Sequence, residues 1–334
     1  MKVTLKQVSE YCNLSTATVS NVLNGTKPVK PETREKVMNA IKELGYIPDE
    51  AARQLKMGSS RLIGVLTIGY NYFFTEILEG IERQAEELGW KIMVGSTDES
   101  YESQQVLLDS FISRRVEGII IAPTHGWTKE KLERYRTIPL VFIDRKVEGC
   151  ENRSITVNNL ESSKQAVMHL VEEHHYRRIG LIYADTQIST MDERKQGYEE
   201  ALKQSGLAVK SSLIRACDGS IDGGKNSMDN LLKENSDIEA VYVTNNNMLQ
   251  GAYKSIQEKG LRVPDDIAII GIDVQPWMEF MDPKLTIIQQ PVRRMGEQAI
   301  TKLLHLKENK EVRSEELKNI LILGESCGCN KEIS

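Results

Sequence analysis

From Leu62 to the end of the chain, short apolar runs alternate with helical stretches, and no other feature narrows the possible folds as far. LIGVLTI precedes a helical stretch at 74–88, KIMVGST one at 102–113, GIIIAP one at 129–135, and LVFID and ITVNN one at 160–173. The pattern restarts with RIGLIYA and 191–204, SLIRAC and 222–233, AVYVTN and 248–259, IAIIGID, then LTIIQQP and 293–306, ending on ILILGES. Wholly apolar runs such as IAIIGI lack the period of two of a half-solvated strand, so they suit strands buried on both faces. Strands joined through helices predict parallel sheets with helices on both sides. About eleven strands are many for one sheet, and the restart near Asn158 and Asn159 divides them into two doubly wound α/β subdomains. The late strand and last helix are expected to cross back, so that both subdomains of the 61–330 core are discontinuous, 61–157 with 291–319 and 158–290 with 320–330. Ligands of such sheets bind in a crevice at the carboxyl ends of the strands.

The first 60 residues follow a different grammar. In TLKQVSEYCNLSTATVSNVLNG (4–25) Thr4 is a favourable N-cap, and Gln7 stands where a capping box needs its partner. Leu5, Val8 and Tyr11–Cys12 predict a first helix with one buried face, Asn13-Leu14 a turn with an apolar plug. Ser15 caps a second helix and Gly25 ends it, with Val19, Val22 and Leu23 turned inward and Thr16, Ala17, Ser20 and Asn21 outward. A short helix with small polar residues at its exposed N-terminal end can enter a DNA major groove. Pro31 opens a third helix at its favoured first position, with Val37, Met38, Ile41 and Leu44 as its stripe and Gly45 at its end. The expectation is an all-α helix-turn-helix headpiece over 1–45 and a linker over 46–60. Within the linker DEAARQLK (49–56) forms a hinge helix too short to be stable alone.

Charge separates the same two parts. Residues 1–60 carry nine Lys/Arg against six Asp/Glu, a net of +3; the remainder carries 34 against 42, a net of −8, together the −5 of the whole chain. A mildly basic head on an acidic body suits a head that binds nucleic acid. The start MKVTLKQ has no apolar run, and no stretch approaches the roughly 20 apolar residues of a membrane helix. With five scattered cysteines and no secretion signal, free thiols, a cytoplasmic location and no membrane partner are expected.

Other motifs read as structure. Gly219 to Lys225 has the phosphate-loop spacing, but Asn226 follows where a magnesium-binding hydroxyl is needed, so the loop is read as opening a helix on the crevice rim. Cys327-Gly-Cys329 offers two metal ligands without a partner pair and is read as a frayed C-terminus; His174-His175 is read as a solvated helix end. No metal and no cofactor are therefore expected. There is no nucleophile elbow, no GxGxxG after a strand and no triad-like His–carboxylate spacing, so no catalytic residue is assigned. A solute-binding protein for transport would need an export signal and no headpiece.

TLKQVSEYCNLSTATVSNVLNG, TREKVMNAIKELGYIP and AARQL occur in order in the head. The body adds the IGV opening, FFTEILEGIE, RRVEGIIIAP, Arg194 before a Gly-Tyr, VTNNNMLQGA, VPDDIAIIGID and LTIIQQPVRRMGEQA. Through these pieces the chain resembles the LacI-type family of bacterial transcriptional repressors over nearly its whole length. The resemblance implies a DNA-binding headpiece, a hinge helix and a core like periplasmic sugar-binding proteins. It implies a homodimer on a pseudo-palindromic double-stranded DNA operator, with operator affinity set by a small effector, a sugar, sugar phosphate or sugar acid. It puts base contacts on Thr16, Ala17 and Asn21, phosphate contacts on Thr4, Ser15, Thr18, Ser20 and Tyr46, and a minor-groove wedge on Leu55 beside Ala52. Asn21 stands where the family commonly has Arg, which implies adenine in place of guanine. Lys30 stands where a capping Ser is usual, and Asp49 where Asn is.

In the core the resemblance puts effector contacts on Phe73, Phe74, Arg145, Thr190, Arg194, Asn245, Asp273 and Gln290. Asp273, ending a buried strand, can accept from hydroxyls, and Arg194 can bond two oxygens in one plane. One of the two phenylalanines is expected in the core. Gly219 replaces a common aromatic and Asn246 a usual Asp, implying a more open, less acidic pocket. The two arginines favour an anionic effector, a phosphorylated or carboxylated sugar.

Overall fold

The computed structural model describes residues 3–24, 27–47, 59–186 and 188–329. The chain divides into two units, Met1–Ser60 and Arg61–Ser334. In the first, α1 (Leu5–Cys12), α2 (Thr16–Asn24) and α3 (Pro31–Leu44) enclose a small core. Thr4 and Gln7 close a reciprocal capping box on α1, and Asn13 ends it in the left-handed region at φ 52°. The Ser15 hydroxyl accepts from the Thr18 N–H at 3.1 Å and starts α2. Val8, Cys12, Val19, Val22, Val37 and Ala40 are buried together.

Two expected core positions in this unit are corrected. Tyr11 is 58% exposed, and its hydroxyl donates to Glu43 across the surface at 2.6 Å. Met38 is half exposed, because Val37 and Ala40, three apart on α3, already fill its inward face. Lys30 precedes α3 without a side-chain cap. Gly25, and the expected hinge helix at 49–56 with Ala52 and Leu55, lie outside the described residues.

The second unit begins β1 (Leu62–Thr67), α4 (Tyr72–Glu87), β2 (Lys91–Ser96), α5 (Tyr101–Ser113), β3 (Ile119–Ile121), α6 (Lys129–Glu133), β4 (Leu140–Ile143) and β5 (Ser154–Val157). It continues α7 (Asn159–Glu172), β6 (Ile179–Ala184), α8 (Ser189–Gln204), β7 (Ile214–Cys217), α9 (Ile221–Glu234), β8 (Ala240–Val243), α10 (Asn246–Glu258), β9 (Ala268–Ile272) and β10 (Thr286–Gln289). It ends with α11 (Val292–Lys307), β11 (Glu315–Leu317) and β12 (Ile320–Ile322). The strands form two sheets of the same order, β2-β1-β3-β4-β5-β11 and β7-β6-β8-β9-β10-β12. The described pairings are parallel except β10 with β12. The chain leaves the first sheet after β5, returns through α11 to β11, and crosses again to β12. At α4 and α11 the backbones touch: a Cβ on Gly80 would lie 2.2 Å from the Arg293 carbonyl oxygen, and one on Gly296 2.2 Å from that of Ile77.

The segment after β12 is held rather than frayed. The Ile269 N–H donates to the Ser326 carbonyl at 2.9 Å, the Ser326 hydroxyl donates to the Ile269 carbonyl at 2.6 Å, and the Thr286 N–H donates to the Ser326 hydroxyl at 2.9 Å. This docking brings Cys327 and Cys329 against His169 and His174. The cysteine pair, expected to lack a partner pair and to bind no metal, has one, and half-buried His174 is not a solvated helix end.

Candidate functional site

The two sheets present the carboxyl ends of their strands to one crevice, which holds a cavity of about 150 Å³. All eight side chains expected as effector contacts line it, together with Asn71, Glu99, Asp144 and Asn246. Phe73 and Phe74 lie in the first turn of α4, where the Asn71 side chain caps the helix by accepting from the Phe74 N–H at 3.0 Å. Their rings meet edge to face at 5.1 Å. Both belong at once to the core of the first subdomain and to the cavity wall, where one alone was expected in the core. From the second subdomain come Thr190 and Arg194 on α8, Asn245 as the N-cap of α10, Asp273 after β9 and Gln290 after β10.

Asp144 and Asp273 occupy matching places, each just beyond the fourth strand along its sheet from β2 and from β7. Both adopt left-handed backbone, at φ 69° and 67°, which Asp tolerates better than most residues. Burial pushes the Asp144 carboxyl above its usual range; Arg145 and Arg194 pull it back, while Asp273 and Glu99 add to the rise. Burial raises Asp273 likewise, against the opposing pull of Arg194 and of a 2.6 Å hydrogen bond from the Gln290 amide.

The two guanidiniums are engaged. Arg145 donates to both Glu99 carboxylate oxygens, at 2.5 and 2.9 Å, and to the Pro123 carbonyl at 3.0 Å. Arg194 donates to Asn159 at 2.9 Å and to the Thr244 carbonyl at 2.8 Å. Two buried atoms of the lining have no hydrogen-bond partner among the described residues: Gln290 Oε1, and Arg145 Nε, which faces the Asp144 carboxylate at 3.6 Å. Buried polar atoms in proteins are nearly always paired, so such orphans in a cavity wall mark where a ligand can bond. Outside the lining, Lys146 links the loop after β4 to Glu193 on α8 at 2.6 Å, an ion pair from one subdomain to the other.

In the headpiece, Ser15, Thr16, Ala17, Thr18, Ser20 and Asn21 fall on the start and first turns of α2. Thr4, Ser15, Thr16 and Ala17 are exposed; Thr18, Ser20 and Asn21 are half-buried. Asn24 donates to the Ser20 hydroxyl at 3.1 Å, and Tyr46 flanks the small core.

Comparison with known proteins decides the family. Residues 65–322 match the model described as periplasmic binding proteins and sugar binding domain of the LacI family, and residues 4–49 the one for bacterial regulatory proteins of that family. The chain belongs to the LacI family. Its relatives include the HTH-type transcriptional repressor PurR of Vibrio campbellii, 34% identical over 92% of this chain and 93% of that one. The ribose operon repressor of Escherichia coli K12 is 33% identical over 90% and 92%. The Lac repressor dimer bound to operator and the anti-inducer ONPF superposes with a TM-score of 0.86 at 28% identity, over 98% of this chain and 99% of that one. Like other LacI-family members the protein is a DNA-binding transcriptional repressor with an effector domain, not an enzyme. No helix among its described residues is long and apolar enough to cross a membrane.

For this LacI-family repressor, sequence reasoning missed Asp144 and Glu99. Asp144 had a signal: LVFID and IAIIGID both end a buried strand on Ile-Asp, and either carboxylate can accept from hydroxyls. Glu99 had none, since it reaches Arg145 from a loop 46 residues away. Gly219 does not line the cavity, since without a side chain nothing from that position reaches it. The phosphate-loop spacing also dissolves: Ser220 caps α9, and Lys225 is paired with Glu258 at 2.9 Å and Asp229 at 3.2 Å.

Proposed function

We propose that the effector of this repressor is a neutral monosaccharide bound in the crevice between the two core subdomains. The observation that carries this is the cavity lining itself: three carboxylates, Glu99, Asp144 and Asp273, stand beside two guanidiniums already bonded to protein partners. A phosphate or carboxylate would meet more negative than positive charge there, which speaks against the anionic effector suggested by counting arginines. Asp144 and Asp273 would accept from ring hydroxyls, Arg194, Asn245 and Gln290 would complete the polar set with Arg145 and Thr190, and Phe73 and Phe74 would face the apolar side of the ring. A cavity of about 150 Å³ is well below the roughly 300–1,000 Å³ of drug-sized sites, which favours one sugar ring over an oligosaccharide. Calorimetry with neutral pentoses and hexoses and their phosphates and acids tests the reading. A neutral sugar should bind, and Asp273→Asn and Arg194→Ala should each weaken it about tenfold or more, the scale of one charge-assisted hydrogen bond. Binding of charged sugars alone would refute it.

On DNA, the reading is a homodimer on a pseudo-palindromic operator. Thr16, Ala17 and Asn21 of each headpiece read bases, Thr4, Ser15, Thr18, Ser20 and Tyr46 position it on phosphates, and Leu55 beside Ala52 wedges the minor groove. The effector acts only through its different affinities for the operator-competent and incompetent states. Operator binding by Leu55→Ala tests the wedge: affinity and DNA bending should both fall, and unchanged values of both would sink it.

A further inference from the structure

We propose that His169, His174, Cys327 and Cys329 form a structural zinc site at the end of the second sheet opposite the crevice. Their four ligand atoms all lie within 4.8 Å of one another. His169 Nε2 is 3.3 Å from Cys327 Sγ, 3.6 Å from Cys329 Sγ and 3.2 Å from His174 Nε2. His174 Nε2 is 3.4 Å from Cys329 Sγ, and the two sulfurs are 3.4 Å apart. A tetrahedral zinc with sulfur at about 2.3 Å and nitrogen at about 2.05 Å sets edges of about 3.3 Å between nitrogens, 3.6 Å between nitrogen and sulfur and 3.8 Å between sulfurs. Five of the six edges follow these values to within a few tenths of an ångström, and the sixth, His174 to Cys327, lies within 4.8 Å. The sulfur separation is far beyond the about 2.05 Å of a disulfide.

The alternative of a hydrogen-bond cluster fits poorly. Two imidazoles and two thiols bring one N–H each and weak S–H donors to five close contacts. One shared cation satisfies all four lone pairs. Thiolates with imidazoles in tetrahedral array select zinc over magnesium or calcium. Four protein ligands leave no open position, so the role is structural.

The fold supports each ligand. His169 sits in the last turn of α7 and His174 five residues on, within the usual spacing of a zinc histidine pair. The Tyr176 ring stacks on His174 at 29°. Thr286 Oγ1 donates to Cys327 Sγ at 3.0 Å, the kind of outer hydrogen bond that orients a metal ligand. Gly328 turns the chain at φ 104°, and a Cβ there would lie 3.0 Å from both His174 Nδ1 and the Tyr176 hydroxyl. A glycine between the cysteines is thus what lets both sulfurs face one point. The site pins the final segment beside the starts of β9 and β10, whereas Asp273 and Gln290 leave their other ends into the crevice.

Full-length protein made without an affinity tag and kept reduced should carry one zinc per chain by native mass spectrometry and elemental analysis. After stripping, cobalt(II) should give the visible bands of a tetrahedral site with thiolate charge transfer. The His174→Ala/Cys329→Ser protein should lose both signals and melt lower than the parent, and chelator should no longer shift its melting. A reduced parent that takes up neither metal, one recovered as a Cys327–Cys329 disulfide that binds none, or a double variant that keeps its zinc overturns the site. Should the double variant not fold, Cys329→His decides. It retains four ligands, so its cobalt spectrum must move to that of a single-thiolate site, and an unmoved spectrum also overturns the assignment.

Discussion

At the scale of single residues, the readings proposed for Asn21 and Asp273 each turn on the hydrogen-bonding chemistry of one side chain. Asn21 stands on the first turns of α2, half-buried, and an Asn amide pairs with the adenine edge where an Arg fork pairs with guanine. Asn21→Arg is expected to move the preferred base at one position of each half-site from adenine to guanine, with a discrimination of about 1–3 kcal/mol. Selection from a randomised operator library checks this, and an unchanged consensus would remove Asn21 from the reading face. Asp273 shows the cost of burying a carboxylate. Its buried carboxyl has a folded pKa above the unfolded one, so its charge costs stability above that folded value, and the cost disappears below the unfolded value. Asp273→Asn should therefore melt no lower than the parent at neutral pH while binding its sugar less tightly, a separation that thermal scans with and without ligand resolve. Asp273 was expected in the crevice through the family resemblance, with which its place at the end of an apolar strand agrees. The engagement of Arg145 and Arg194 was not legible in the sequence, since their partners Glu99 and Asn159 lie 46 and 35 residues away and nothing in the local pattern couples them.

Among elements, what could be read depended on how apolar each one is. The strands buried on both faces and the helices that follow them announce themselves. The edge strand β11 does not, because its three residues, Glu-Glu-Leu, pair with β5 along one side only and face water on the other. The contact of α4 with α11 is equally silent in the sequence, although Gly80 and Gly296 make it possible. Gly296→Ala suits the helix by propensity yet drives a methyl into the Ile77 carbonyl. We expect a net loss of about 1–3 kcal/mol, read as a lower urea midpoint, where the same change at an open helical site would stabilise. The helix pair α9 and α10 touches in the same way at Gly224 and Gly251, and is tied by charge as well. Burial raises the Asp229 carboxyl, but hydrogen bonds from Lys259, Ser255 and Lys225 outweigh it and carry the pKa down to about 2. A depressed carboxylate adds stability above its unfolded pKa and loses it as pH falls through the folded one. The stability gap between parent and Asp229→Asn should hold at about 1–2 kcal/mol from pH 7 to 5, discounted for the solvent that reaches this 31% exposed side chain, and shrink from about pH 4 toward 2. A gap that does not vary across that range would dissociate Asp229 from the tie.

For the whole molecule, the central fact is that one cavity draws its walls from two subdomains of the same strand order, so a ligand held by both walls necessarily changes the free energy of their separation. Lys146 and Glu193 already join the two walls beside the cavity without lining it. The pair is partly solvated, with side chains 41% and 19% exposed, so its contribution is at most about 1 kcal/mol. That is enough to matter for a population near balance, where the same energy is about a fivefold shift between closed and open forms. Lys146→Met should weaken sugar binding by up to about fivefold although no lining residue has changed, and Lys146→Arg should restore most of it. Because linkage is reciprocal, the effect on operator affinity must carry over with a fixed sign. If the sugar releases the operator, Lys146→Met tightens operator binding in the absence of sugar, and if the sugar promotes operator binding, the variant loosens it. Titrating the variant with operator alone and then with sugar therefore reports the direction of regulation. Sugar affinity that ignores the substitution would mean that the walls move too little for the crevice to serve as the switch.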